Sequence, residues 1–309
     1  MDVLVSILIP IYNREDLIRE TLESAIQQTY KNIEIIVVDN CSTDNSFSVV
    51  KEYQEKDSRI KLFKNEANLG PVKNWQRCIE KATGEYIKIL WSDDKIAPTF
   101  LEKTVPILER HQDIGFAYTK TIIFSDKTQF DFYRFGQTGK YLSSTFVFYA
   151  LIKDDYVPVS PANALFRTKD VKKNLIIDIP NPKNLDFSRF GAGNDLLFFL
   201  GVCRDYKYFY FIDSPEAMYR FHQKSLSFEN TLDEYYTWVK VNFLESNRNK
   251  FEEFRSLYYS LIKTRKKQFY YMIKDKPFRF SFIWVIHISI INLRNTLQRK
   301  MYRFLKKIF

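Results

Sequence analysis

The sequence predicts an α/β fold built on a parallel sheet, and two features of the first hundred residues predict it. Four short apolar runs, residues 3–9, 33–38, 60–63 and 86–90, have the length and continuity of strands buried on both faces. Between them lie three segments of helical character, 15–28, 43–56 and 72–82. Strands alternating with helices of this length imply right-handed crossovers and therefore a parallel sheet.

Each element has its own justification. Pro10 closes the first apolar run. Leu17, Ile18, Leu22, Ala25 and Ile26 recur at helical spacing in the first helix. Ser42 or Thr43 suits the cap of the second helix. Beyond residue 110 the pattern changes. Residues 116–124 and 130–135 read as strands of a hairpin or mixed sheet, and 142–152 as a helix. Residues 174–189, with Pro180 and Pro182, read as a loop, and the apolar 194–202 as a helix. From Leu232 the chain reads as helices, punctuated near Pro277. Most aromatic residues between 115 and 210 are expected in the core.

The composition is that of a folded protein. The chain has 309 residues, 45% hydrophobic and 27% charged, enough for one large domain or two small ones. Cys41, Cys78 and Cys203 are far apart and odd in number, which excludes a disulfide framework and a cysteine zinc site and suits a reducing cytoplasm. No targeting segment is expected, because Asp2 follows Met1 and Pro10 interrupts the first apolar run. No uncharged run reaches the ~18 residues of a membrane span.

The net charge of +10 is unevenly placed. From Arg248 onward 16 Lys and Arg accompany 3 acidic residues, so the preceding chain is slightly acidic. Leu293, Leu297, Met301, Phe304 and Ile308 share one helical face, and Arg299, Lys300, Arg303, Lys306 and Lys307 the opposite one. With the apolar stretch 280–293 before it, this segment is expected to dock on an anionic membrane surface. No nucleic-acid-binding pattern accompanies the basic residues, so no nucleic-acid partner is expected.

In an open parallel sheet ligands bind beyond the carboxyl ends of the strands. Four such ends carry polar groups in register: Pro10 to Arg14, Asp39 to Asp44, Asn65 to Gly70, and Trp91-Ser92-Asp93-Asp94. Adjacent carboxylates such as Asp93 and Asp94 repel each other, and a hard divalent cation with bound phosphates relieves the repulsion.

These segments resemble the family 2 glycosyltransferases, which have the GT-A fold. The resemblance is carried by the string from Ser6 to Arg14, by Ile36 to Ser46 with its Asp39, by Asn68-Leu69-Gly70, by Ala82 to Ile87, and by Ser92-Asp93-Asp94. It covers about a third of the chain. It implies a Rossmann-like nucleotide-binding mixed sheet flanked by helices, with a C-terminal helical extension. The implied division is a catalytic domain over 1–230, with the nucleotide sugar on 1–110 and the acceptor on 111–230, then a basic helical region over 231–309.

The resemblance also implies roles. Asp39 would read the nucleotide base, usually uracil, against the wall formed by Pro10, Tyr12 and Asn13. Asn68, Gly70, Lys73 and Ser92 would complete the donor site. Asp93 would face the ribose or a phosphate, and Asp94 would ligate Mg or Mn. Trp91 stands where many members have a further Asp, and Lys73-Asn74 where many have Arg-Asn. Gly193-Asn194-Asp195 resembles the family's acidic pair, with Asn194 in place of the first acid. Asp195 would be the general base of an inverting sugar transfer, although an Asp there also suits a helix cap. Tyr219-Arg220-Phe221-His222 resembles a late family segment that would bring Arg220 and His222 to the metal-bound diphosphate. His111 and His287 are expected to be surface or core residues.

The expected activity is metal-dependent transfer of a sugar from a nucleotide sugar, UDP-linked, to a glycan or polyprenyl-diphosphate-linked acceptor in bacterial surface-polysaccharide synthesis. The expected location is the cytoplasmic face of the cell membrane. The alternatives are a catalytically degenerate binding protein of the same fold and a sugar nucleotidyltransferase. The latter needs a glycine-rich loop after the first strand, which Pro10 to Arg14 lacks.

Overall fold

A computed structural model describes residues 2–125, 128–133, 135–152, 157–222 and 232–265. The amphipathic basic segment and His287 lie outside the described residues.

The first half alternates strands and helices as the sequence predicts: β1 (Val5–Ile11), α1 (Ile18–Ile26), β2 (Ile33–Asp39), α2 (Ser46–Gln54), β3 (Ile60–Lys64), α3 (Pro71–Lys81) and β4 (Tyr86–Ile89). The second half holds β5 (Lys95–Ile96), α4 (Phe100–Arg110), β6 (Ile114–Phe124), β7 (Gln129–Phe132), β8 (Gly139–Leu142), α5 (Ser143–Ile152), β9 (Ala164–Arg167), α6 (Thr168–Asn174), α7 (Asn194–Asp205) and β10 (Tyr208–Arg220). The helices α8 (Leu232–Ser246) and α9 (Arg248–Arg265) follow.

The strands form one mixed sheet of order β3-β2-β1-β4-β9-β6-β10-β5, with β7 on β6 and β8 on β10. β3, β2, β1 and β4 are mutually parallel. β9 runs antiparallel between β4 and β6. The registers Ile11↔Asp39 and Asp39↔Lys64 bring three strand ends to one edge.

Alternation along each strand divides the core in two. Val5, Ile7, Ile9, Ile35 and Val37 pack against Ile18, Leu22 and Ala25 of α1, Val49 and Val50 of α2, and Phe100 and Leu108 of α4. Leu8, Ile36, Val38, Ile87 and Ile89 face the other way, toward Val72 and Trp75 of α3 and Leu196 and Phe199 of α7. Phe116, Tyr118, Phe146, Phe199 and Phe209 form an aromatic centre there, with ring centroids 5.0–6.2 Å apart where they touch. Phe243, Leu244, Phe251 and Tyr258 of α8 and α9 join this core, so these two helices pack on the same body as the sheet.

Candidate active site

The edge beyond β1, β2 and β3 is a woven polar loop cluster. Asp39 ends β2 fully buried. Its carboxylate accepts the Ser42 amide at 3.2 and 3.3 Å and a short hydrogen bond from the Ser42 hydroxyl. Ser42 Oγ in turn accepts the Asn13 amide at 3.0 Å, and Asn13 Oδ1 accepts the Thr43 amide at 2.9 Å. Asn13 (φ 52°) and Cys41 (φ 62°) take left-handed backbone to make these turns, a conformation that Asn tolerates better than most residues. Ser42 is therefore spent on Asp39 and caps no helix. The second helix begins at Ser46, whose amide is accepted by Asp44 Oδ1 at 2.9 Å.

Asparagines lock the next loop. Asn40 donates to Asn68 Oδ1 at 2.8 Å and accepts from Asn65 Nδ2 at 3.0 Å and the Leu69 amide at 2.9 Å. Asn65 also donates to Asn74 Oδ1 at 2.9 Å, and Asn74 donates to the Val38 carbonyl. Buried amides like these hold their neighbours because each unpaired polar atom would cost about 1–3 kcal/mol. Asn68 accepts the Gly70 amide, and Gly70 (φ 80°) starts α3. Tyr12 and Leu69 stand exposed at this edge, and Pro10 is half-buried. Lys73 is exposed and acts on Asp186 across the loop, where the Ser188 hydroxyl, then Lys73 and Arg189, hold the Asp186 carboxyl below its usual range.

At the end of β4 a turn closed by Asp94 N–H on the Trp91 carbonyl, 3.0 Å, points the two carboxylates apart. Asp93 faces outward. Its Oδ2 lies 3.0 Å from His222 Nε2 and 3.6 Å from Arg14 Nε. Asp94 turns inward, and its Oδ1 accepts the Arg220 amide at 2.9 Å. Burial and the neighbouring Asp93 push its carboxyl well above the carboxylate range, opposed by the Arg220 amide and Lys88. The resemblance implies Asp94 and His222 as metal ligands and Asp93 facing the ribose or a phosphate; the side chain that lies beside His222 is that of Asp93. Arg220 Nε donates to the Asp93 carbonyl, and Nη2 lies 2.8 Å from Glu20 Oε2. Ser92 is buried. Trp91 packs on Trp75 with ring centroids 4.7 Å apart and planes tilted by 36°, and donates to Ser160 Oγ at 2.8 Å, so it lies under the turn that carries Ser160.

A divalent cation fits the outer pair. Asp93 Oδ2 and His222 Nε2, 3.0 Å apart, are a carboxylate oxygen and an imidazole nitrogen that could hold such an ion. Among the described residues no group of three or more His, Cys, Asp or Glu is gathered for a metal.

Asp195 lies in the first turn of α7, one residue after Asn194. Its Oδ1 accepts the amides of Gly193 at 2.9 Å and Leu196 at 2.7 Å, and its Oδ2 accepts the Tyr236 hydroxyl of α8 at 2.8 Å. Burial raises this carboxyl to about 7, against the pull of Tyr236 and the two amides. Asn194 donates to the Ile176 carbonyl at 2.7 Å, a bond the expected acid could make only if protonated. Gly191 (φ 71°) lets the preceding loop rest on the Trp75 ring.

Sequence reasoning missed Tyr236, Trp75 and the roles of Asn40, Asn65 and Ser42. Asn40 and Ser42 lay inside the quoted motif. Tyr236 lies 41 residues after Asp195 in an aromatic-rich helix with no distinguishing pattern.

Comparison with known proteins supplies the family. The glycosyl transferase family 2 profile matches residues 6–175. The putative glycosyltransferase EpsE of Bacillus subtilis is 37% identical over 123 residues, 40% of this chain and 44% of that protein. The Escherichia coli enzyme UDP-Glc:alpha-D-GlcNAc-diphosphoundecaprenol beta-1,3-glucosyltransferase WfaP is 39% identical over 123 residues, 40% of this chain and 48% of that protein. Each match spans less than half of the relative. The crystal structure of Staphylococcus aureus TarS 1-349 with UDP-GlcNAc superposes with a TM-score of 0.63 at 22% identity, over 78% of this chain and 66% of that one. With the GT-A sheet in place and the family profile spanning more than half its length, the chain belongs to glycosyl transferase family 2.

Proposed function

We propose that the chain is an inverting transferase that moves a sugar from a UDP-linked donor to a glycan or polyprenyl-diphosphate-linked acceptor in surface-polysaccharide synthesis. The observation that carries this reading is the Asp93–His222 pair, two strands from Asp39 on the same sheet edge. The name of WfaP gives a UDP-glucose donor and a diphosphoundecaprenol acceptor for that relative, and TarS was crystallised with UDP-GlcNAc. Both support the donor and acceptor classes named here.

In this reading Asp39, set by Ser42, takes the base between Tyr12, Asn13 and the Asn68–Gly70 turn. Asp93 and His222 are the residues that would hold a magnesium or manganese ion, whose chemistry is charge neutralisation on the departing diphosphate. Asp195 takes the acceptor hydroxyl proton on Oδ2. The freed oxygen bonds the anomeric carbon as the bond to the diphosphate breaks on the opposite face, which inverts that carbon. Loop 178–193, which leads into Asp195, borders the acceptor side.

Calorimetric titration of UDP, GDP and dTDP, with and without manganese, tests the reading. Manganese-dependent UDP binding that disappears in Asp93→Ala supports it. A folded protein that binds none of the three with metal present overturns it. The peripheral membrane location rests on the basic residues near the C-terminus. Among the described residues no helix is long and apolar enough to cross a membrane. Deleting residues 277–309 is expected to shift the protein from the membrane to the soluble fraction; unchanged partitioning would refute docking through that segment.

A further inference from the structure

Arg14 follows Asn13 in the turn after β1. Its amide is held by Ser46 Oγ at 2.7 Å, and its Nη1 donates to the carbonyls of Asn13 and Tyr12 at 3.1 and 3.4 Å. These bonds fix the root of the side chain and one corner of the guanidinium. The Nε is buried and makes no hydrogen bond. It stands 3.6 Å from Asp93 Oδ2, within ion-pair reach but too far for a hydrogen bond. The same oxygen is 3.0 Å from His222 Nε2. One carboxylate oxygen therefore faces a permanent cation on one side and an imidazole on the other.

A divalent cation on Asp93 and His222 has to share that oxygen with the guanidinium. Arg stays charged at every working pH, so the conflict is not relieved by losing a proton. Releasing Asp93 for a nearby anion does relieve it, and a phosphate oxygen suits an uncommitted guanidinium N–H. We propose that Arg14 is a diphosphate-binding residue that pairs with Asp93 in the nucleotide-free protein and exchanges it for the donor's diphosphate when the divalent cation enters. The inference rests on the reading of this edge as a nucleotide-sugar site.

The exchange gives Arg14 opposite effects on two affinities. Without nucleotide the guanidinium competes with the metal for Asp93. With nucleotide it adds to the metal's hold on the diphosphate. An arginine with a purely structural role would lower both affinities or neither.

The test uses the full chain as wild type, Arg14→Gln and Arg14→Lys, with Asp93→Asn as the control for location. Manganese binding without nucleotide is read from the electron paramagnetic resonance of free Mn(II), and UDP binding at saturating manganese by calorimetry. Arg14→Gln is expected to bind manganese alone at least threefold more tightly and UDP at least tenfold more weakly, with Arg14→Lys between it and wild type on UDP. Manganese affinity that is unchanged, weakened or undetectable in both proteins overturns the exchange, as does unchanged UDP affinity. Should Arg14→Gln fail to fold, Arg14→Lys carries the same two readings, and equality with wild type in both overturns the proposal. Wild type that binds no UDP with manganese overturns the nucleotide-site reading itself and the proposal with it.

Discussion

Tyr236 donates its hydroxyl to Asp195 Oδ2 across 2.8 Å, from a helix that begins 37 residues beyond Asp195. Oδ1 is already filled by two amides, so Oδ2 is the oxygen left to take a proton. The carboxyl is raised to about 7 by burial, and the Tyr236 bond favours its charged form. In the proposed base role Asp195 must be ionised, so kcat/KM for UDP release from a UDP-sugar should fall as pH drops through about 7. Tyr236→Phe should move this acid limb to higher pH. Asp195→Asn should cut turnover by a factor on the order of 10²–10⁴ while UDP affinity stays within about twofold of wild type. A profile flat from pH 5.5 to 8 would remove Asp195 from the base role.

Ser42 ties the Asp39 carboxylate, proposed to read the nucleotide base, to the turn after β1, because one hydroxyl donates to Asp39 and accepts from Asn13. Ser42→Ala leaves a buried carboxylate and an amide short of a partner. Thermal unfolding should show a loss of about 1–3 kcal/mol, and UDP affinity should fall with it. Calorimetry that finds wild-type UDP affinity would mean that the Asp39 orientation does not depend on this bridge.

Gly191 has no room for a side chain. A Cβ built there would lie 2.1 Å from the Trp75 ring, and its φ of +71° is strained for any L side chain. Gly191→Ala should therefore displace Trp75, its partner Trp91 and the loop leading to Asp195. The expected outcome is a drop in melting temperature of several degrees, equivalent to about 1–3 kcal/mol, with turnover reduced more than UDP binding. An alanine variant with wild-type turnover would show that the Trp75 contact does not position the acceptor side.

The parts of this molecule that were legible in the sequence are those in which local pattern and tertiary role coincide. β1 to β4 and their helices are continuous apolar runs or amphipathic periods, and the structure bounds them within a few residues. The apolar run 194–202 is legible as a helix for the same reason, and the helix continues to Asp205. β10 was not, although it is 13 residues long. It contains Asp213, Ser214, Pro215 and Glu216, and its pairing with β6 shifts register around Pro215, so no period of two survives in its sequence. β9 has four residues and β5 two, too few for a period. In the site, Asp39 and the Asp93-Asp94 pair could be found because strand ends are where ligands bind. Which of the two carboxylates faces His222 is decided by a turn and by the Arg220 amide, 126 residues away. Adjacent residues of the same type hold no signal for that choice.

Glu34 lies on β2, remote from the carboxyl-end site, and gives the fold an acid limit that can be separated from catalysis. It is 3% exposed, yet its Oε1 accepts from Ser6 Oγ at 2.5 Å, Thr83 N at 2.8 Å and Oγ1 at 2.9 Å, and Gly84 N at 3.2 Å, and its Oε2 accepts Lys61 Nζ at 2.6 Å. Burial alone would raise this carboxyl, but Lys61, Ser6 and Thr83 together hold it at about 2. The unfolded chain binds a proton at Glu34 near pH 4.5, its unperturbed value, and the folded chain only near 2. The stabilisation is therefore complete above about pH 4.5 and is lost as pH falls toward 2. A shift of this size corresponds to at most about 3–4 kcal/mol, less in practice because Lys61 is half exposed to water. Glu34→Gln should cost about 1–3 kcal/mol at pH 7 and flatten the fall in urea midpoint between pH 4.5 and 2.5. It should leave UDP affinity and the acid limb assigned to Asp195 unchanged. A Glu34→Gln protein that loses stability over that pH range as steeply as wild type would assign the acid sensitivity to other carboxylates, with Asp57 and Asp205, both held low by neighbouring arginines, the next to replace.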